Sequence, residues 1–146
     1  MLLIGNQIRL TRALLAAALR QRKGSLFQTL ARQQVEAGAN WLLVDMGPQR
    51  RDASGDLAWL VETIHDLVSV PLVLRSDDPV ALEAGLQAAR DQILIDATLP
   101  GVEEVSPFLS LAQRYGARLA FSACPGGLPS STDERLTLVT AVSYTH

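Results

Sequence analysis

The sequence has little cysteine, few aromatic residues, no long apolar run and no excess of positive charge. Its 146 residues include one cysteine, Cys124, so no disulfide can form within the chain. The 13 basic and 15 acidic residues give a formal net charge of −2, without the basic stripe that binding to nucleic-acid phosphates requires. No apolar run approaches the ~20 residues of a membrane span, and the N-terminus lacks the layout of a secretory signal. We therefore expect a cytoplasmic protein without a nucleic-acid or membrane partner.

Short apolar runs alternate with longer segments of helical spacing. The runs are continuous, as in strands buried on both faces, and they cover residues 2–4, 41–44, 71–74, 92–95 and 118–121. Helical spacing is found over residues 26–37, 57–68, 79–89 and 102–115. The alternation predicts an α/β fold with a parallel sheet, either a barrel or a doubly wound sheet, and periodicity alone does not choose between them.

Glycine and proline positions agree with these boundaries. Gly38 and Gly116 each follow a predicted helix and precede a predicted strand, where a left-handed backbone is common. Pro79 suits the first turn of a helix, and Asp78 before it suits an N-cap. The Ala-rich stretch between residues 12 and 22 is predicted to be an ordinary helix or helical loop rather than a membrane-seeking one.

The end of the sequence is unusual for a βα repeat. A last helical segment is predicted from residue 133 to about 142, after the fifth strand, and residues 143–146 do not continue it. We expect a truncated or frame-shifted chain, in which residues 1–142 form one partial domain and residues 143–146 are a non-native or frayed tail.

Several motifs follow one another from residue 3 to residue 135. They are Leu3-Ile4-Gly5, Ala31-Arg32-Gln33-Gln34 leading into Gly38-Ala39, Met46-Gly47-Pro48, Trp59-Leu60-Val61-Glu62, Ala81-Leu82-Glu83-Ala84-Gly85-Leu86, and Gly127-Leu128-Pro129 followed by Asp133 and Arg135. In this order they resemble the methyltetrahydrofolate:corrinoid methyltransferases, which share a pterin-binding barrel with dihydropteroate synthase. The resemblance covers nearly all of the chain and implies a (β/α)8 TIM barrel, truncated to about its first five βα units.

The resemblance implies methyl transfer from methyltetrahydrofolate to the cobalt corrinoid of a partner protein, by a homodimer when full length. The site would lie at the carboxyl ends of the strands, as in other barrel enzymes. In the family, an aspartate at the end of strand three accepts from the donor edge of the pterin, and asparagines of strands two and four hold other pterin atoms. The protein supplies orientation and electrostatics for the reaction.

At the matching positions this chain departs from the family. Arg75 replaces the aspartate of strand three, Asp45 and Asp96 replace the asparagines of strands two and four, and Arg9 replaces an asparagine of strand one. Leu43 replaces an acidic residue of strand two. Because neighbouring barrel strands follow in order, we expect the four charged residues to lie side by side with alternating signs and to compensate one another.

These four residues, Arg9, Asp45, Arg75 and Asp96, are the predicted substrate-binding residues, and Asp96 is also the predicted catalytic residue. Plain salt bridges without a ligand are the alternative interpretation. In that case the ion pairs would fill the position of the family's pterin pocket, and the site would not recognise a new ligand. No metal site is predicted, because histidine and cysteine are too few for zinc.

Other residues near the predicted site have simpler interpretations. Asp77 and Asp78 could supply the lost carboxylate, but helix capping is favoured. Cys124 has no histidine partner, and the loop over residues 125–129 is predicted to shape the site rather than bind phosphate. Three functions stay open: methyl transfer, from methyltetrahydrofolate or another donor; a non-catalytic paralogue that keeps the barrel and the partner surface; and a dihydropteroate synthase-like enzyme.

Overall fold

The computed structural model describes residues 1–47, 53–98 and 105–121, in which a five-stranded parallel sheet alternates with helices. The elements are β1 (Ile4–Arg9), α1 (Ala13–Arg20), α2 (Gly24–Glu36), β2 (Trp41–Asp45), α3 (Ala53–His65), β3 (Leu72–Arg75), α4 (Pro79–Ala88), β4 (Ile93–Ala97), α5 (Ser106–Tyr115) and β5 (Arg118–Phe121). Every neighbouring pair of strands is parallel. The predicted α/β alternation is confirmed.

The strands lie in chain order, β1-β2-β3-β4-β5, without a reversal. One face of the sheet and all five helices share a single core, which includes Ile8, Val44, Leu74 and Ile95 from strands and Leu15, Phe27, Leu60, Leu82 and Phe108 from helices. A doubly wound sheet reverses its order at a switch point and carries helices on both faces. In the part of the chain that the structure describes, the sheet is therefore wound in one direction.

The opposite face of the sheet has its own, smaller cluster. Trp41 and Leu43 of β2 pack there with Val73 of β3, and the partly buried Leu94 of β4 joins them. These side chains alternate along each strand with the side chains that face the helices, as the two-residue period of a strand requires. The continuous apolar runs in the sequence thus supply apolar side chains to both faces of the sheet.

The predicted helix boundaries are confirmed where a special backbone or cap marks them. Gly38 and Gly116 have φ values of +100° and +64°, in the region that favours glycine. Asp78 caps α4 by accepting a hydrogen bond from the amide of Val80 at 2.9 Å. The Ala-rich stretch forms α1, whose Leu15 is buried in the core. Within residues 1–47, 53–98 and 105–121, no helix has the length and apolar content to cross a bilayer.

The prediction of the first strand over residues 2–4 is wrong. Strand β1 begins only at Ile4, and the preceding Leu2 and Leu3 are 58% and 41% exposed. The core instead receives Ile8 and Leu10, both fully buried. Because Asn6 and Gln7 are polar, this part of the strand does not form a continuous apolar run in the sequence.

Several predictions lie outside the described residues. They concern the helix from 133 to about 142, the tail at residues 143–146, the loop over 125–129, and Cys124. The start of the predicted helix over residues 102–115, at residues 102–104, is also outside them, and α5 is described from Ser106.

Candidate functional site

The four predicted site residues lie in one row across four strands. Arg9 pairs with Asp45, Asp45 with Arg75, and Arg75 with Asp96 in the register of the parallel sheet. Three of them are the last residues of their strands, and Asp96 is the last but one of β4. The expected row of alternating charges is confirmed, and we call Arg9, Asp45, Arg75 and Asp96 the strand-end network.

The direction of these side chains follows from the residues before them. Val44, Leu74 and Ile95 are fully buried in the core under the helices. Because successive side chains of a strand point to opposite faces, the next residue on each strand points to the face without those helices. The network therefore lies at the carboxyl ends of the strands, on the same face as Trp41 and Leu43.

Asp96 is the most completely bonded member of the network. Its Oδ2 accepts from Arg75 Nε at 2.8 Å and lies 2.7 Å from Arg75 Nη2. Its Oδ1 accepts from the amide of Thr98 at 3.0 Å and from the Thr98 hydroxyl at 2.6 Å. Both arginine contacts fall on one oxygen, so the pair is not the parallel two-oxygen fork of many arginine carboxylate pairs.

The electrostatics of Asp96 favour the ionised form. Burial raises the pKa of Asp96, because the residue is only 8% exposed, but the hydrogen bonds from Thr98 and the hydrogen bond and positive charge of Arg75 together outweigh burial and lower the pKa. Asp96 is consequently a carboxylate at neutral pH. It can accept hydrogen bonds, but it has no proton to donate.

Asp45 is held more loosely. Its Oδ1 accepts from the amide of Gly47 at 2.9 Å, where a φ of +70° suits glycine. Its Oδ2 lies 3.6 Å from Arg75 Nη1 and 3.9 Å from Arg9 Nε, and both ion-pair distances are longer than a good hydrogen bond. Arg9 Nε is buried without a hydrogen-bond partner, although the Arg9 side chain as a whole is 43% exposed.

These residues do not fit a pterin held in the way that the resemblance implies. The donor edge of the pterin needs an acceptor at the end of β3, and Arg75 has only donors. The Asp96 oxygens already accept from Arg75 and Thr98, and Asp45 Oδ1 accepts from Gly47. Asp78 caps α4 and does not supply the lost acceptor.

Two contributors to the network, Thr98 and Gly47, were not predicted from the sequence. Each follows an aspartate of the network by two residues and donates its amide to that side chain. This is the local bond by which aspartate stabilises a turn, so the spacing Asp-x-Thr and Asp-x-Gly at a strand end was the available signal.

Among the described residues, no group of three or more histidines, cysteines or acidic residues is arranged to hold a metal ion. No protein-family model matches the chain.

Proposed function

We propose that this chain forms about the first five βα units of a (β/α)8 barrel of the pterin-binding methyltransferase type. We further propose that its strand-end site holds an internal ion-pair network in place of folate. The motifs quoted above support the ancestry, and the sequential strand order with helices on one face supports the barrel.

A contact across the sheet also supports a curved, barrel-like sheet. The guanidinium carbon of Arg118 on β5 lies 5.7 Å from the ring centre of Trp41 on β2, although β3 and β4 lie between them. Strands are about 4.8 Å apart, so a flat sheet would separate these backbones by roughly 14 Å. Curvature toward this face would bring the two side chains together.

The single observation that carries the functional proposal is the position of Arg75. It lies between Asp45 and Asp96 and contacts both carboxylates, which are also bonded by their own turns. A site filled in this way favours a non-catalytic relative, which keeps the barrel but does not take methyltetrahydrofolate. A corrinoid protein is the partner that the resemblance implies for it.

The test is calorimetric titration of the full-length protein with methyltetrahydrofolate. We expect no saturable binding by the wild type. A triple variant, Asp45→Asn with Arg75→Asp and Asp96→Asn, restores the residue types of the family at three positions, and we expect it to gain saturable binding. Micromolar binding by the wild type that disappears in Arg75→Ala would show that the arginine recognises the ligand, and the filled-site proposal would then be wrong.

A second candidate is a divergent methyltransferase in which the arginines bind a methyl donor. The unbonded Arg9 Nε and the partly exposed Arg9 and Arg75 side chains favour it, because they leave guanidinium groups near the solvent. Asp96 would then act only as an ionised hydrogen-bond acceptor, since its pKa is lowered. Methyl transfer to a cobalt corrinoid protein that is lost in Arg9→Ala would favour this candidate. No observation on the described residues favours a dihydropteroate synthase-like enzyme.

A further inference from the structure

Strand β1 contains one residue more than the stretch of β2 that it pairs with. Gly5 lies opposite Leu42, but Ile8 lies opposite Val44, so three steps along β1 correspond to two steps along β2. Such a bulge reverses the alternation of side chains beyond it and can redirect a side chain to the other face. Arg9, the member of the strand-end network that lies on β1, follows directly after this bulge.

A buried side chain of α2 holds the bulge in place. The Gln34 carboxamide oxygen accepts from the amide of Gln7 at 2.9 Å, and its nitrogen donates to the Leu30 carbonyl at 3.1 Å. Gln34 is itself buried. The amide of Gln7, which lies within the bulge, thereby obtains an acceptor from a helix rather than from the neighbouring strand.

Gly5 makes this approach possible. A Cβ atom at residue 5 would lie 2.6 Å from the Gln34 carboxamide oxygen, a distance that real Cβ contacts do not show. The carboxamide of Gln34 therefore occupies space that a side chain at residue 5 would need, and glycine at this position leaves that space open.

The register shows what the bulge does for the site. Without the extra residue, continuing from the pair Gly5 and Leu42 would bring Ile8 opposite Asp45 and turn Arg9 to the other face. With the bulge, Ile8 enters the core under the helices, and Arg9 lies opposite Asp45.

We propose that Gln34 is a positioning residue for the strand-end network: by bonding the bulge in β1, it sets the register that places Arg9, rather than Ile8, beside Asp45. The proposal concerns the register alone. It is independent of whether the network fills an old site or recognises a ligand.

The test is the register of β1 measured by NMR in Gln34→Leu. In the wild type, the Leu10 amide donates to the Asp45 carbonyl at 2.8 Å, and a coupling through this hydrogen bond should be observed. In Gln34→Leu, the Gln7 amide loses its acceptor, and we expect the Leu10 coupling to be lost and an Arg9 coupling to the same carbonyl to appear.

Two further variants distinguish a change in the register of β1 from a general loss of structure. Gln33→Leu changes the exposed neighbour on the same helix and should keep the Leu10 coupling. Gln34→Glu retains an acceptor oxygen at the same reach and should also keep it. If the coupling survives in Gln34→Leu, the proposal is overturned.

A measurement on the wild type keeps the proposal testable if Gln34→Leu does not fold. The Gln7 amide should exchange with solvent deuterium as slowly as the Ile8 amide beside it, because Gln34 bonds it from inside the protein. Exchange of the Gln7 amide at the rate of an unstructured amide would overturn the proposal. Folate binding enters neither measurement, so failure here is distinct from failure of the proposed function.

Discussion

The two halves of the strand-end network share Arg75 but differ in how closely their charges meet. On the Asp96 side, two arginine nitrogens lie 2.7 and 2.8 Å from one oxygen, and the threonine of the following turn bonds the other. On the Asp45 side, the arginine nitrogens stay 3.6 and 3.9 Å away. The same pair of residue types thus forms a tight contact in one half and a loose one in the other.

The difference shows that local bonds, and not formal charge, decide how an ion pair is built. Thr98 bonds Asp96 through both its amide and its hydroxyl, which fixes the carboxylate toward Arg75. Asp45 has only the Gly47 amide for the same purpose, and its other neighbour, Arg9, is partly exposed and lies 3.9 Å away. We expect the tight half to contribute to stability and the loose half to contribute little.

Arg75→Ala should cause the largest loss of unfolding free energy. This change leaves two buried carboxylates, Asp45 and Asp96, without their shared cation, and removing one partner of a buried pair costs about 3 kcal/mol of unfolding free energy. Urea denaturation measures the loss. The control is Arg114→Ala, which breaks an exposed pair with Glu83 and should cost less than about 1 kcal/mol. Equal losses in the two variants would contradict a special role for the central arginine.

Thr98→Val should cause a smaller loss of unfolding free energy, and this loss should depend on pH. The hydroxyl bond to Asp96 is lost while the amide bond stays, which should cost about 1.5 kcal/mol at neutral pH. Since the pKa of folded Asp96 is lowered from 3.8, its ionised form stabilises the fold above that value, and this contribution disappears as the pH falls through the folded pKa.

The unfolding free energies of Thr98→Val and the wild type should therefore converge at low pH. Urea denaturation at about pH 7 and at a pH well below 3.8, where Asp96 loses its charge, measures the two differences in unfolding free energy. A constant difference between the proteins at both pH values would mean that Thr98 acts through packing rather than through the charge of Asp96. Thr11→Val serves as the control, because it changes another threonine near the strand ends, which lies against Gly47 beside Asp45.

The sequence predicts the row of charges better than the bonds within it. Short apolar runs that each end in a charged residue place Asp45, Arg75 and Asp96 together, because parallel strands end at one edge of the sheet. The contribution of Thr98 was missed since a turn residue gives no periodic signal. The bulge in β1 was missed for a different reason: it depends on Gln34, a residue far away in the sequence. Local pattern cannot show a contact of that kind.

The smallest effect should follow Arg9→Gln, which tests the loose half alone. The change removes a charge 3.9 Å from Asp45 on a side chain that is 43% exposed, so little attraction is lost. It also removes a buried Nε that has no hydrogen-bond partner, which offsets part of that loss. We expect the unfolding free energy to change by less than about 0.5 kcal/mol, at low and at high salt alike. A loss as large as that of Arg75→Ala would show that both halves are equally tight in solution, because only a desolvated, bonded Arg9 could contribute so much.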